Sequence, residues 1–315
     1  MAPKDDKDKG FSWTFTAPQS LFDKLDVRKR RTFFPLITEN NLVGKLNAAS
    51  SLSEIGRIAK ERNLCDVCDM SGLDIAAAKV IVKCVAHMMY CYPKLRGRFC
   101  YVGSYSRYVE RLRRLAESDE EVIREFGLQY VWQSEGAGFL GMIARDIGKS
   151  TGKGGTLASA IYTAGFADAL IFDESDYGPA GYRDACKNWE YNLKTGYHPR
   201  NCGHATGVVY HEIGHMIDTI CSLSANPAIL ALWRSRGEDR IAAELSRYAT
   251  VSVSEFIAEA FSEYMSAPYP RLLAHEVAKN IKEAYSKIKL PCAAWGGVVR
   301  AAGSLLRVTP HQRCG

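Results

Sequence analysis

Residues 208–218 read Val208-Val209-Tyr210-His211-Glu212-Ile213-Gly214-His215-Met216-Ile217-Asp218. Two imidazoles four positions apart on a helix lie about 40° apart around its axis and roughly 6 Å along it, so His211 and His215 can face one metal ion. Such a pair is two of the three protein ligands of a catalytic zinc site. Glu212 stands one step round from His211. Its carboxylate there reaches a metal-bound water rather than the metal, which is the place of a general base for peptide hydrolysis. The apolar flanks run unbroken to Asp218, which reads equally as an acceptor behind His215 and as a helix-surface carboxylate.

Working outward, the next informative stretch is Ser254-Glu-Phe-Ile-Ala-Glu-Ala-Phe-Ser-Glu-Tyr264. Glu255, Glu259 and Glu263 line one helical face, and Phe256, Ile257, Ala260 and Phe261 supply the apolar one. Carboxylates stacked at four-residue spacing repel each other by a few tenths of a kcal/mol per pair. A cation relieves that repulsion, so Glu255 is the expected third ligand. Glu259, one turn deeper, is placed to orient a ligand histidine through its second ring nitrogen. Glu263 is expected on a solvated acidic face.

HEIGHMID, followed 44 residues after His211 by EFIAEAF, resembles the lethal-factor type of zinc metallopeptidase. The resemblance implies that Glu255 completes the zinc site. It also implies a tyrosine seven residues before that ligand, and Tyr248 in Leu245-Ser-Arg-Tyr-Ala249 occupies that position. Its phenol would hydrogen-bond the developing oxyanion or the zinc-bound water. Gly196-Tyr-His-Pro199, LSRYA, EFIAEAFSEY and Pro270-Arg271 resemble a narrower group, the zincin-like metallopeptidases associated with phage minor head proteins. The likeness spans about 190 to 285 and is looser back to about 70, and the ten cysteines and a glycine-rich segment depart from the family pattern.

The expectation is an α+β zincin-like metallopeptidase domain, with a small sheet ahead of the motif helix and a helical C-terminal half. Residues 1–50 form an arm or linker, 51–290 the catalytic domain with a helical N-terminal portion, and 291–315 a tail. The expected activity is that of a phage-encoded zinc endopeptidase. One Zn2+ is held by His211, His215 and Glu255, with Glu212 as general base and Tyr248 as oxyanion donor. The substrate is a protein or peptide, and the resemblance makes phage head or capsid proteins the implied partners, in the virion or the host cytoplasm. Two alternatives stay open: a non-catalytic virion module, and a proteolytic effector directed at a host target.

Composition sets the outer limits. At 315 residues and 47% apolar content the chain can build a large core. It contains no apolar run of about 18 residues, and its first thirty residues are too charged for a signal peptide, which argues against a membrane span and against secretion by that route. The net charge of +6 is concentrated in part at Arg28-Lys29-Arg30-Arg31, read as a solvated basic turn rather than a nucleic-acid surface. Ten irregularly spaced cysteines read as free thiols, several of them buried, and Cys65-x-x-Cys68 lacks the second pair that a structural zinc site needs. A thiolate from Cys202 or Cys221 could in principle quench the catalytic metal. Gly148-Lys149-Ser150 lacks the glycine five places earlier that a phosphate-binding loop requires, since Ile143 is there.

Local patterns fill in the rest. Ser51 to Glu54 is a capping box opening a short helix. Helical spacing from Leu73 to Tyr90 predicts a longer one stopped by Pro93, and His87 on its apolar side reads as a satisfied core residue. Residues 98–102 and 169–172 read as strands, 105–115 and 118–126 as amphipathic helices, and 127–165 as mostly loop. Residues 173–206 read as a long loop excursion whose His198 and His204 read as ordinary loop histidines rather than substrate contacts, and Pro270 as first-turn residue of the last helix.

Overall fold

The computed structural model describes residues 41–95, 99, 101–116, 158–161, 169–202 and 205–288. The sequence readings at 1–40 including Arg28 to Arg31, 118–126, Gly148 to Ser150, His204 and 291–315 lie outside these residues, as does most of the glycine-rich segment.

The first described helix, α1 (Leu42–Ala48), falls within the stretch read as an arm, and it buries Leu46 completely. Lys79 and Lys83 reach its C-terminal turn through the Asn47 carbonyl and amide, at 2.8 and 2.6 Å. In α2 (Leu52–Glu61) the Ser51 hydroxyl accepts from the Glu54 amide at 3.2 Å, and Glu54 reaches back to the Ser50 amide at 2.9 Å, so the box caps both ends of the first turn. After β1 (Val67–Asp69), α3 (Ile75–Cys91) starts on an Asp74 cap and ends before Pro93. Its Ala77, Ile81, Cys84, Val85 and Met88 form a buried stripe at helical spacing.

The sheet continues with β2 (Tyr101–Ser104), which leads directly into α4 (Tyr105–Ala116). β3 (Ala158–Ile161) and β4 (Ala169–Phe172) complete it in the order β1-β2-β4-β3. β1, β2 and β4 are parallel, with Val67 opposite Tyr101 and Tyr101 opposite Ala169, whereas β3 runs antiparallel to β4 at the edge. Every residue of β2 and β4 is buried, as expected when parallel strands are covered on both faces. The described strand Tyr101–Ser104 overlaps the strand read at 98–102, and β1 has no counterpart in the sequence reading because three residues carry too little alternation.

The region read as a long excursion contains two helices, α5 (Glu174–Tyr177) and α6 (Tyr182–Lys194). Only Ala185 and Trp189 of α6 are buried, a face too thin to raise a periodic signal above its Tyr, Asp and Asn content. Trp189 packs against Tyr177 with ring centroids 5.4 Å apart.

Helices then follow one another: α7 (Ala205–Cys221), α8 (Pro227–Glu244), α9 (Val253–Ser266) and α10 (Leu272–Lys287). Pro270 precedes the cap residue Arg271, so α10 starts two residues later than Pro270 suggested. The described chain is therefore mixed, a small sheet in the first half and helices in the second, as an α+β class requires. None of its helices is long and apolar enough to cross a membrane.

Candidate metal centre

α7 and α9 cross at contact distance because Gly214 lies where they meet. A methyl group on Gly214 would stand 2.8 Å from Ala258 Cα, closer than carbon atoms approach, and Ser262 donates to the Gly207 carbonyl at 2.7 Å. Ser252 caps α9 by accepting from the Glu255 amide at 3.1 Å. This cap sets Glu255 in the first turn of α9, where the crossing carries it to the two histidines.

Three side-chain atoms converge there. His211 Nε2 lies 3.1 Å from His215 Nε2 and 3.1 Å from Glu255 Oε2, and His215 Nε2 lies 3.4 Å from the same oxygen. Tetrahedral ligands about 2.0–2.1 Å from a zinc ion stand roughly 3.3 Å apart, so the triangle has the size that such an ion imposes. The hydrogen bonds behind the imidazoles strengthen the case. His211 Nδ1 meets Glu259 Oε1 at 2.8 Å, and an ionised carboxylate only accepts, so the Nδ1 proton is committed there. His215 Nδ1 meets Ser254 Oγ at 3.0 Å, and that hydroxyl gives its one proton to Asp218 Oδ2 at 2.9 Å. His215 must therefore donate from Nδ1 as well. In the neutral imidazoles both Nε2 atoms then carry lone pairs, aimed with a carboxylate oxygen at one point. Glu255 Oε2 is itself buried, and its nearest polar neighbours are the two Nε2 atoms. Three acceptors around one point can be reconciled by a metal ion or by a proton held on an imidazole, and the three residues form a group that could hold a metal.

The electrostatics have the same sign. Burial alone would lower the His211 pKa, yet hydrogen bonds to Glu255 and Glu259 outweigh it and raise it to about 10. Burial would raise Glu259, but the imidazoles of His198 and His211 hold it down at about 2. Glu255 is likewise held below the usual carboxylate range by the two histidines, against the effect of its burial. The site favours positive charge, whether a proton or a metal supplies it.

Glu212 is buried on α7, and its charge is felt by His211, Tyr248 and Tyr177. Tyr248 opens a single helical turn, Tyr248–Thr250, and its ring stacks on His211 with centroids 5.8 Å apart and on Tyr197 at 5.3 Å. Burial and the neighbouring Glu255 push its phenol above the ordinary range, so it keeps its proton at neutral pH. Arg247 and Tyr248 donate their amides to the carbonyls of Gly196 and Tyr197 at 3.0 and 3.1 Å, a short ladder that fixes both segments. Gly196 turns the chain into it at φ +69°, a left-handed conformation that glycine adopts without strain.

His211, Glu212, His215, Tyr248, Glu255 and Glu259 thus gather in one place. Glu263 does not belong with them, nor is it solvated: it is buried in a multiple ion pair with Arg271, which also donates to the carbonyls of Ala243 and Leu245. His198 is no ordinary loop histidine, since its Nδ1 meets Glu259 at 3.2 Å. Asp218 anchors Ser254 and Ser224 rather than facing solvent. Cys202 packs against Ser262, and Cys221 lies near Tyr92 and Tyr285; neither joins the donor group of His211, His215 and Glu255. Cys65 and Cys68 are free thiols joined by a hydrogen bond, which with burial raises the Cys65 pKa, and no third metal donor joins them among the described residues. Ser246, Ser252 and Ser254 were missed. Only Ser252 left a trace, the capping-box spacing to Glu255. Comparison of the chain with family models, with curated proteins and with solved structures finds no match.

Proposed function

We propose that the chain is a zinc-dependent endopeptidase. The observation that carries this reading is the convergence of two imidazole lone pairs and one carboxylate oxygen, with both opposite ring nitrogens already committed to acceptors. His211, His215 and Glu255 would hold the ion, and two nitrogens with one oxygen suit zinc. Bound there, zinc supplies Lewis acidity that polarises a peptide carbonyl and lowers the pKa of water.

The chain's own residues account for the proton movements. Glu212 takes the proton of the attacking water on its carboxylate and delivers it to the departing amine. Tyr248 donates its phenolic hydrogen to the carbonyl oxygen as negative charge develops there. An extended peptide would pair with β3, the edge strand of the described sheet, which runs beside α7. The substrate is accordingly a protein or peptide, and the phage head proteins implied by the resemblance are the first to test.

Elemental analysis of wild type, Glu255→Ala and Glu212→Ala, with a peptide-library digest, tests the reading. Wild type should carry about one zinc per chain, and Glu255→Ala should bind it at least about 100-fold more weakly. Glu212→Ala should keep its zinc and lose about 10²–10⁴-fold in turnover. A zinc-loaded Glu212→Ala with unaltered proteolysis would refute the mechanism, and a wild type that takes up no zinc would refute the metal centre.

A further inference from the structure

We infer that His198 is a positioning residue for the metal centre, acting through Glu259 on His211. The inference rests on the zinc site proposed above and assigns a task to a residue outside the two motifs.

Glu259 is fully buried, and its carboxylate receives three side-chain donors. His211 Nδ1 meets Oε1 at 2.8 Å, Ser246 Oγ donates to Oε2 at 2.7 Å, and His198 Nδ1 spans both oxygens at 3.2 and 3.4 Å. A carboxylate held from one side could still rock about its last bond. Held from three directions it is fixed in plane and in distance, and with it the ring of His211. His198 is well braced for this. Its imidazole stands edge-on to Tyr197, Tyr248 and His211, with centroids 5.0, 5.6 and 6.5 Å away, and its side chain is four-fifths buried at 19% exposure. The ladder between 196–197 and 247–248 holds its backbone. The same ladder holds the segment carrying Ser246 and Tyr248, so one loop contact sets two donors to Glu259 and the phenol stacked on His211.

A residue that merely fills space there would be replaceable by any side chain of similar volume. A positioning residue needs a donor where Nδ1 now stands, which the amide nitrogen of asparagine supplies and that of glutamine, one bond further out, does not. The experiment measures Zn2+ affinity by competition with a chromophoric chelator, and the visible absorption of the Co2+ form, for wild type, His198→Ala, His198→Asn and His198→Gln. Contacts behind a ligand histidine are worth about 10–100-fold in metal affinity, and His198 is one contact further back, so His198→Ala should weaken zinc about 10-fold. Its Co2+ spectrum should shift. His198→Asn should restore both readings and His198→Gln neither.

Wild-type affinity and spectrum in His198→Ala would overturn the inference, as would His198→Asn behaving like His198→Ala. If the alanine variant does not fold, the asparagine and glutamine variants decide: tighter zinc in asparagine supports the assignment, equal affinity overturns it. A wild type that binds no zinc fails at the earlier step and takes both readings with it.

Discussion

α7 carries a buried histidine environment on each of two faces, and the two have opposite character. Toward α9, His211 is surrounded by Glu255, Glu259 and Glu212, and its pKa is raised to about 10. Toward α3, Tyr210 meets His87, whose Nδ1 lies 2.6 Å from the phenol and whose Nε2 lies 3.4 Å from Cys91 Sγ. Burial lowers His87 to about 4, while it raises Cys91 to about 12 and Tyr210 well above its ordinary value. All three are neutral near pH 7. Both imidazoles are out of water, so burial cannot explain the contrast. Carboxylates do: the α9 face favours positive charge, from a proton or a metal, and the α3 face is neutral throughout.

The largest blow to this comparison is Glu259→Ala. It leaves His198, His211 and Ser246 facing a void where a charge stood, and should cost about 3–5 kcal/mol in denaturant unfolding of the metal-free protein. A loss below about 1 kcal/mol would mean that the charged face is no more demanding than the neutral one. The α3 face is probed by pH. His87 is depressed from 6.5 to about 4 in the folded chain, so below pH 6.5 the unfolded state binds the extra proton first. The stability that His87 contributes is complete above pH 6.5 and lost as pH falls through about 4. The difference between wild type and His87→Asn across that window should be on the order of 3 kcal/mol. Parallel pH curves would show that His87 is not held neutral. The smallest effect belongs to Ser254→Ala, which removes a hydroxyl rather than a carboxylate from behind His215. Zinc affinity should fall by no more than about 10-fold, with the fold intact by circular dichroism. A zinc loss of about 100-fold or more would erase the distinction between the two ligand histidines.

Much of the α9 face was legible in the sequence because it is local: His211 and His215 share one helix, Glu255 and Glu259 another, and periodicity alone aligns each pair. What escaped depends on residues brought from elsewhere. Ser246 and His198 reach Glu259 from 13 and 61 positions away, and Asp218 reaches Ser254 across 36. No spacing rule links such residues. Glu263 shows the same limit from the other side. Its spacing is that of Glu255 and Glu259, yet its partner is Arg271 of the next helix cap, so a position that reads as solvated is buried. In the sheet, β4 could be read because its four residues are all apolar, whereas β1 and α6 present too few buried positions to register.

Gly214 acts as a gauge between α7 and α9. It lies between the two ligand histidines and lets the backbone of Ala258 approach within reach of a single hydrogen. Any heavier residue would push the two helix axes apart and draw Glu255 away from the imidazoles. The diameter of the cation that the proposed centre would accept is therefore calibrated by the girth of a position outside the donor group.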